Sequence, residues 1–266
     1  MMQGLQGKAA IVTGGSTGIG RAIMERLCAE GVSVTYSGIS DGGVATEKEC
    51  RQKGYQVQFL RGDMAEEAFC RRLVDEALQK WGRIDFLVNN AFSFIAKSLE
   101  ATREDWLRTM SVGPIGYATM GQMVAEPMEK QGGGAIVNLS SISAHIAQPG
   151  RWTYNAAKGA VNQLTRCMAL DLAPAGIRVN TVSPGWIWTR EVDKAAGGDR
   201  EKWGPRWGKF HMLRRLGEVE ECAGPVAFLL SDEASFITAA ELMVDGGYNG
   251  MGSEGLGEAS TFAGSD

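Results

Sequence analysis

Tyr154 and Lys158 stand four positions apart in the run Thr153-Tyr154-Asn155-Ala156-Ala157-Lys158. On a helix that spacing puts both side chains on one face, one turn apart, so an ammonium lies beside a phenol. A free tyrosine ionises near pH ~10, and a cation held close favours the phenolate and moves its pKa toward working pH. Such a tyrosine can pass a proton to or from a hydroxyl or carbonyl oxygen. A Tyr-x-x-x-Lys pair alone is also what any helix surface produces by accident, so the surrounding elements must decide. Ser141 follows a short apolar run at 135–139, thirteen residues before Tyr154. A hydroxyl at the carboxyl end of a central strand is placed to touch a ligand.

The elements that must position these groups alternate along the chain. Residues 8–13 (KAAIVT) form an apolar run rich in strand formers, which breaks into Gly14-Gly15-Ser16-Thr17-Gly18-Ile19-Gly20 before a helical pattern at 21–30. Strand, glycine turn and helix together bring backbone N–H groups to the positive end of a helix, where a pyrophosphate is stabilised. Further strands are expected at 32–37, 56–60, 84–88, 135–139 and 240–244. Helices are expected at 42–53, 66–81, 102–130, from Tyr154 onward, and at 222–230. This alternation predicts a parallel sheet with right-handed crossovers. Asp63, just past the third strand, is placed at the ligand-binding edge, where it could accept from an adenine amino group or serve as a plain turn residue.

Composition excludes several other classes. The 266 residues are 44% hydrophobic and carry a formal charge of −4, which gives no basic footprint for nucleic acid. No apolar run approaches the ~20 residues needed to cross a bilayer, and no secretory leader pattern precedes the first strand. Five cysteines without a C-x-x-C spacing read as reduced thiols, and the protein is expected in the cytoplasm. His145 and His211 are the only histidines, so no metal set is expected. One domain is expected over residues 1–250. The tail at 251–266, rich in Gly, Ser and acidic residues, is expected to be flexible or ordered only against a neighbouring subunit.

Taken together, these pieces resemble the short-chain dehydrogenase/reductase family. The matching residues are Thr13 to Gly20, Asp63, Asn89-Asn90-Ala91, Ser141, Tyr154, Lys158, Pro184-Gly185 with Ile187 and Thr189, Arg215-Leu216-Gly217-Glu218 and Val244-Asp245-Gly246-Gly247. They occur in order over almost the whole chain. The resemblance implies an α/β, Rossmann-type, doubly wound sheet of seven parallel strands with helices on both faces. It implies oxidation of a secondary alcohol or sugar hemiacetal, or the reverse, with NAD or NADP. By resemblance Tyr154 is the catalytic acid/base, Ser141 holds the substrate oxygen, and Lys158 lowers the tyrosine pKa and binds the nicotinamide ribose. The implied cofactor-binding set is Gly14, Ser16, Thr17, Gly18, Ile19, Gly20, Ser37, Gly38, Asp63, Met64, Asn90, Ala91, Tyr154, Lys158, Pro184, Gly185, Ile187 and Thr189. A homotetramer or homodimer is implied as well.

The chain departs from the family twice. Phe92 stands where the family has glycine after Asn-Asn-Ala, and Gly113 stands where it has a catalytic asparagine whose main-chain carbonyl holds a relay water at a helix irregularity. Pro114 could supply the irregularity by another route, since it removes a helical N–H. Gly38, at the end of the second strand, carries neither the aspartate of NAD enzymes nor the cation of NADP enzymes, which leaves a slight lean to NAD.

Residues 189–215 are expected to form a substrate lid. Within it, Lys202, Arg206, Lys209, Arg214 and Arg215 are basic, and Trp152, Trp186, Trp188, Trp203 and Trp207 fall in the same region. Flat aromatic faces and cations suit a hydroxylated, anionic, sugar-like substrate, although tryptophans and Arg215 could equally be structural. Phe92, His145, Gln148, Trp152, Trp186, Arg206 and Lys209 are the candidate substrate contacts. The alternatives are a ketone or 3-oxoacyl reductase and a catalytically weak dinucleotide-binding sensor.

Overall fold

The run AAIV at Ala9–Val12 (β1) is buried at every position, as a strand covered by helices on both faces requires. Its side chains alternate: Ala10 and Val12 join one core while Ile11 joins the other. The computed structural model describes residues 2–257. The remaining strands are β2 (Ser33–Gly38), β3 (Val57–Arg61), β4 (Phe86–Asn89), β5 (Gly134–Leu139), β6 (Ile177–Pro184) and β7 (Glu241–Val244). All are parallel and lie in the order β3-β2-β1-β4-β5-β6-β7. The seven-stranded, doubly wound sheet expected above is therefore present. The order reverses between β1 and β4, and ligands in such sheets bind outside the carboxyl ends at that point.

Helices α1 (Gly18–Ala29), α2 (Gly42–Gln52), α3 (Glu67–Trp81), α4 (Arg103–Met110), α5 (Gly116–Lys130), α6 (Trp152–Leu172), α7 (Arg190–Ala195), α8 (Arg200–Gly208) and α9 (Val219–Leu230) complete the fold. Leu27, Cys50 and Val226, from α1, α2 and α9, share one core; Phe69, Met120 and Met168, from α3, α5 and α6, share the other. The long helical stretch expected at 102–130 starts at a capping box between Thr102 and Asp105. It is interrupted by a π-helical turn over Ser111–Ile115. Gly113 has φ −78° and ψ −113°, and Pro114 cannot donate to the ladder. The irregularity is thus built on Gly113-Pro114.

Buried amides fix α6 against the sheet. Asn89 Nδ2 donates to Asn138 Oδ1 at 2.9 Å, and Asn138 Nδ2 donates to Thr165 Oγ1 at 2.9 Å. Ser140 Oγ donates to the Lys158 carbonyl at 3.1 Å, tying the first turns of α6 to the end of β5. At the other end of the chain Ser253–Leu256 makes one 3-10 turn, and Arg214 Nη2 donates to the Gly255 carbonyl at 2.7 Å. Residues 258–266 of the expected tail lie outside the described residues.

Candidate active site

The glycine turn is shaped by what its atoms must avoid. Gly14 (φ +68°) and Gly18 (φ +57°) occupy the left-handed region, and a Cβ on Gly20 would stand 2.3 Å from the Gly14 carbonyl oxygen. Asn90 brackets the turn from β4, donating through Nδ2 to the Thr13 carbonyl at 3.0 Å and the Gly14 carbonyl at 3.1 Å. Thr17 begins α1 without a side-chain cap, and the first turn of α1 carries no acidic residue. The helix N–H groups therefore face the cleft free of protein acceptors, and Ser16 Oγ is buried with no partner among the described residues. Both features fit the pyrophosphate of a dinucleotide, whose oxygens would satisfy these donors.

Asp63 follows β3 and meets Arg108 of α4 at 2.6 Å. Burial works to raise its pKa, but Arg108 and the Ala65 N–H prevail and hold the carboxyl below its ordinary value. It is an anion at neutral pH, able to accept a hydrogen bond at the carboxyl edge.

Tyr154 and Lys158 do lie one turn apart on α6, with Ser141 opposite them after β5. Ser141 Oγ accepts from the Ser143 N–H at 3.1 Å, which orients the oxygen and leaves its own O–H to donate elsewhere. The Lys158 side chain is buried, and its Nζ donates to the Leu139 carbonyl at 2.8 Å. Burial lowers its pKa to about 7. Burial also raises the Tyr154 phenol above its ordinary value, opposed by the Ser141 hydroxyl and by the positive charge of Arg151. The expectation that Lys158 lowers the tyrosine pKa is therefore not met in the protein alone. Nζ stands 5.8 Å from the Tyr154 ring centroid and 3.9 Å from that of Phe92.

One cleft of about 730 Å³ collects most of the residues singled out in the sequence. Every one of the implied cofactor-binding positions lines it, together with Ser141, Phe92, Gln148 and Trp186. Four candidate substrate contacts do not. His145 Nε2 is drawn 2.8 Å from Glu241 Oε1, Trp152 points into solvent at 53% exposure, Arg206 covers the Trp203 ring, and Lys209 covers Phe210. Within the basic lid Arg215 grips Glu221 at 2.7 and 2.6 Å, and Arg214 donates to two carbonyls.

The structure adds Arg151, Phe94, Ser143, Arg108 and Trp207 to the lining. Arg151 lies over the Phe94 ring at 5.8 Å and the Trp186 ring at 5.4 Å, with no carboxylate in salt-bridge reach among the described residues. Its place three residues before Tyr154, at the start of the same helix, was the available signal; Phe94 offered none. Trp207 packs on Trp186 and Trp203, so the aromatic lid is held by ring contacts. His211, within the lid segment, ties it to the loop after β6, its Nε2 accepting from the Trp186 N–H at 3.2 Å.

Comparisons with known proteins agree with this geometry. A family model described as enoyl-(acyl carrier protein) reductase matches residues 14–249. A cyclopentanol dehydrogenase of Comamonas testosteroni is 38% identical over 246 residues, covering 91% of this chain and 96% of that protein. An NADP-dependent (R)-specific alcohol dehydrogenase of Lentilactobacillus kefiri is 37% identical over 255 residues, covering 93% and 99%. The solved structure of a 7 alpha-hydroxysteroid dehydrogenase complexed with NADH and 7-oxo glycochenodeoxycholic acid superposes with a TM-score of 0.85 at 34% identity, over 91% of this chain and 94% of that one. The chain belongs to the short-chain dehydrogenase/reductase family and is an NAD(P)-dependent oxidoreductase acting on CH–OH groups.

Proposed function

We propose that the protein interconverts a ring-borne secondary alcohol and its ketone with NAD, using Tyr154 as acid/base. The observation that carries this reading is the convergence of the Tyr154 phenol, the Ser141 hydroxyl and the buried Lys158 ammonium on the wall of the cleft that also holds the glycine turn. The nicotinamide, when bound, supplies the hydride acceptor or donor. In the oxidative direction Tyr154 Oη takes the proton of the substrate hydroxyl. Ser141, its oxygen fixed by the Ser143 N–H, donates to the same substrate oxygen and holds it in line. Lys158, fixed through Leu139, supports the charge that passes through the phenolate. Gly14, Ser16 to Gly20, Ser37, Gly38, Asp63, Met64, Asn90, Ala91, Tyr154, Lys158, Pro184, Gly185, Ile187 and Thr189 would hold the dinucleotide. Assembly as a homotetramer or dimer is supported by Leu107, Ile115 and Leu170, large apolar side chains exposed on and between α4, α5 and α6. A cytoplasmic setting is supported by free cysteines and by the absence, among the described residues, of a helix long and apolar enough to cross a membrane.

The choice of NAD rests on the loop after β2. Arg61 pairs in register with Gly38 and is the nearby cation, but its Nη1 is held 2.8 Å from Asp41 Oδ1. Asp41 both occupies that cation and repels a 2′-phosphate. Asp41→Asn is expected to free Arg61 and move the kcat/KM ratio about tenfold toward NADP, the equivalent of ~1.4 kcal/mol. An unchanged ratio would place cofactor choice elsewhere.

The finer reading is a hydroxylated, anionic ring, sugar-like or alicyclic. Trp186, Trp207 and Phe94 offer flat faces, and Arg151 offers a guanidinium that no carboxylate among the described residues satisfies. The ligand named with the steroid dehydrogenase, itself an acid with a ring ketone, is in keeping with this chemistry. Turnover of a panel of sugar acids, hydroxycycloalkane carboxylates and their neutral counterparts tests it. Arg151→Gln is expected to raise KM for the acids at least about tenfold more than for the neutral alcohols, the worth of a charge-assisted hydrogen bond. Equal losses for both classes would remove the anion from the reading.

A further inference from the structure

Phe92 is the first residue after the Asn89-Asn90-Ala91 run, and its ring is held from three sides. Lys158 Nζ stands 3.9 Å from the ring centroid, and Tyr154 meets the ring edge-on at 5.3 Å and 85°. On the third side lies the π-helical turn. A Cβ built on Gly113 would come within 2.6 Å of Phe92 Cε2, closer than real side chains approach one another.

Among the described residues the only hydrogen-bond acceptor of Lys158 is the Leu139 carbonyl, although an ammonium has three donors to place. No carboxylate among the described residues lies within salt-bridge reach. The titratable groups around it are Tyr154 on its own helix and Tyr117 of α5, whose hydroxyl shares the Leu139 carbonyl at 3.3 Å. The face of an aromatic ring carries negative quadrupole density and attracts a desolvated cation more strongly than an exposed one.

We propose that Phe92 is a positioning residue whose ring seats the Lys158 ammonium beside Tyr154, and that position 113 is glycine because this ring fills the space a side chain there would need. The two positions then form one unit: the ring reaches from β4 into the volume beside the helix break. Phe92 accordingly acts through Lys158 and does not itself exchange protons. The idea rests on the roles given above to Tyr154 and Lys158, but its test does not depend on turnover.

Fluorinated phenylalanines placed at position 92 by nonsense suppression keep the shape of the ring while draining its face. The pKa of Lys158 can be followed by pH-dependent acylation of its amine, read by mass spectrometry, alongside the pH profile of kcat/KM. An electron-rich face favours the charged amine. Stepwise fluorination is therefore expected to lower the Lys158 pKa stepwise, by about one unit, or tenfold, at the most fluorinated ring. A pKa that stays put across the series would reduce Phe92 to a space filler and overturn the proposal.

The coupling to Gly113 is read by thermal melting. Gly113→Ala is expected to destabilise the protein in the presence of Phe92 and to cost much less in a Phe92→Gly background. Equal costs in both backgrounds would separate the two positions and overturn that half. Phe92→Leu, which keeps bulk without a π face, covers the case in which Phe92→Gly fails to fold. It is expected to tolerate Gly113→Ala no better than the wild type while still lowering the Lys158 pKa. Loss of turnover in Tyr154→Phe with these readouts intact would leave the inference standing, whereas their failure would not touch the role of Tyr154.

Discussion

Tyr154→Phe is expected to lower kcat about 10³-fold while leaving dinucleotide affinity within a factor of about two, since a positioned general acid/base contributes roughly 10²–10⁴-fold. Phenylalanine keeps the edge contacts with Phe92 and Phe94. It loses only the hydroxyl that faces Ser141 and the cleft. The fold should survive, with a change in stability of about 1 kcal/mol or less. The pH dependence adds a second signature. In the free protein burial raises the phenol above its ordinary value and lowers Lys158 to about 7, so the proton lost near neutrality is that of Lys158. Alcohol oxidation needs the phenolate, so kcat/KM should rise with pH along a limb that reports the Tyr154 phenol. That limb should vanish from the residual activity of Tyr154→Phe. Residual turnover within tenfold of the wild type, with the limb unchanged, would give the acid/base role to another group.

Much of this site was legible before the fold was, for a physical reason. Wherever function depends on backbone conformation or on a helical spacing, residue types alone carry the signal. Gly14, Gly18 and Gly20 announce a turn that no side chain tolerates, and Tyr154 with Lys158 announces one face of one helix. Asn89-Asn90-Ala91 was equally readable, because its amides tie β4 to the Thr13 turn through Thr13 Oγ1 and two carbonyls. Pro114 foretold the helix break that the π turn realises.

What stayed hidden depends on partners distant in sequence. His145 looked like a loop residue free to touch substrate, but Glu241, 96 positions later, takes its Nε2. The row of lid cations carried no sign of its partners: Arg215 is paired with Glu221, Arg214 donates to main-chain carbonyls, and Arg206 and Lys209 lie over Trp203 and Phe210. Arg61 was not legible as the cation nearest the second strand, since only the register of β2 against β3 brings it to Gly38. The absence of a side chain at position 113 read as a loss. Only the packed structure shows that Phe92 takes up that space.

Gly20→Ala is expected to weaken dinucleotide binding by about 100-fold and to destabilise the protein by about 1–3 kcal/mol, the range for forcing one methyl group into a filled space. The added Cβ would lie 2.3 Å from the Gly14 carbonyl oxygen and 2.4 Å from Asn90 Nδ2. Neither atom can retreat cheaply. The first is main chain inside the turn, and the second is pinned by hydrogen bonds of 3.0 and 3.1 Å to the Thr13 and Gly14 carbonyls. Relief therefore requires α1 to tilt or Asn90 to let go, and either change displaces the N–H groups that would receive the pyrophosphate. Stability loss alone would not distinguish this from any damaged turn, so the control is Gly54→Ala. Gly54 is also in the left-handed region, at φ +84°, but a Cβ there meets nothing within 4 Å. That substitution should cost about 1 kcal/mol in backbone conformation and nothing in affinity. Calorimetric titration with NAD alongside thermal melts separates the two effects. If Gly20→Ala binds NAD as the wild type does while melting earlier, the turn is a packing device only, and the phosphate must be held elsewhere in the cleft.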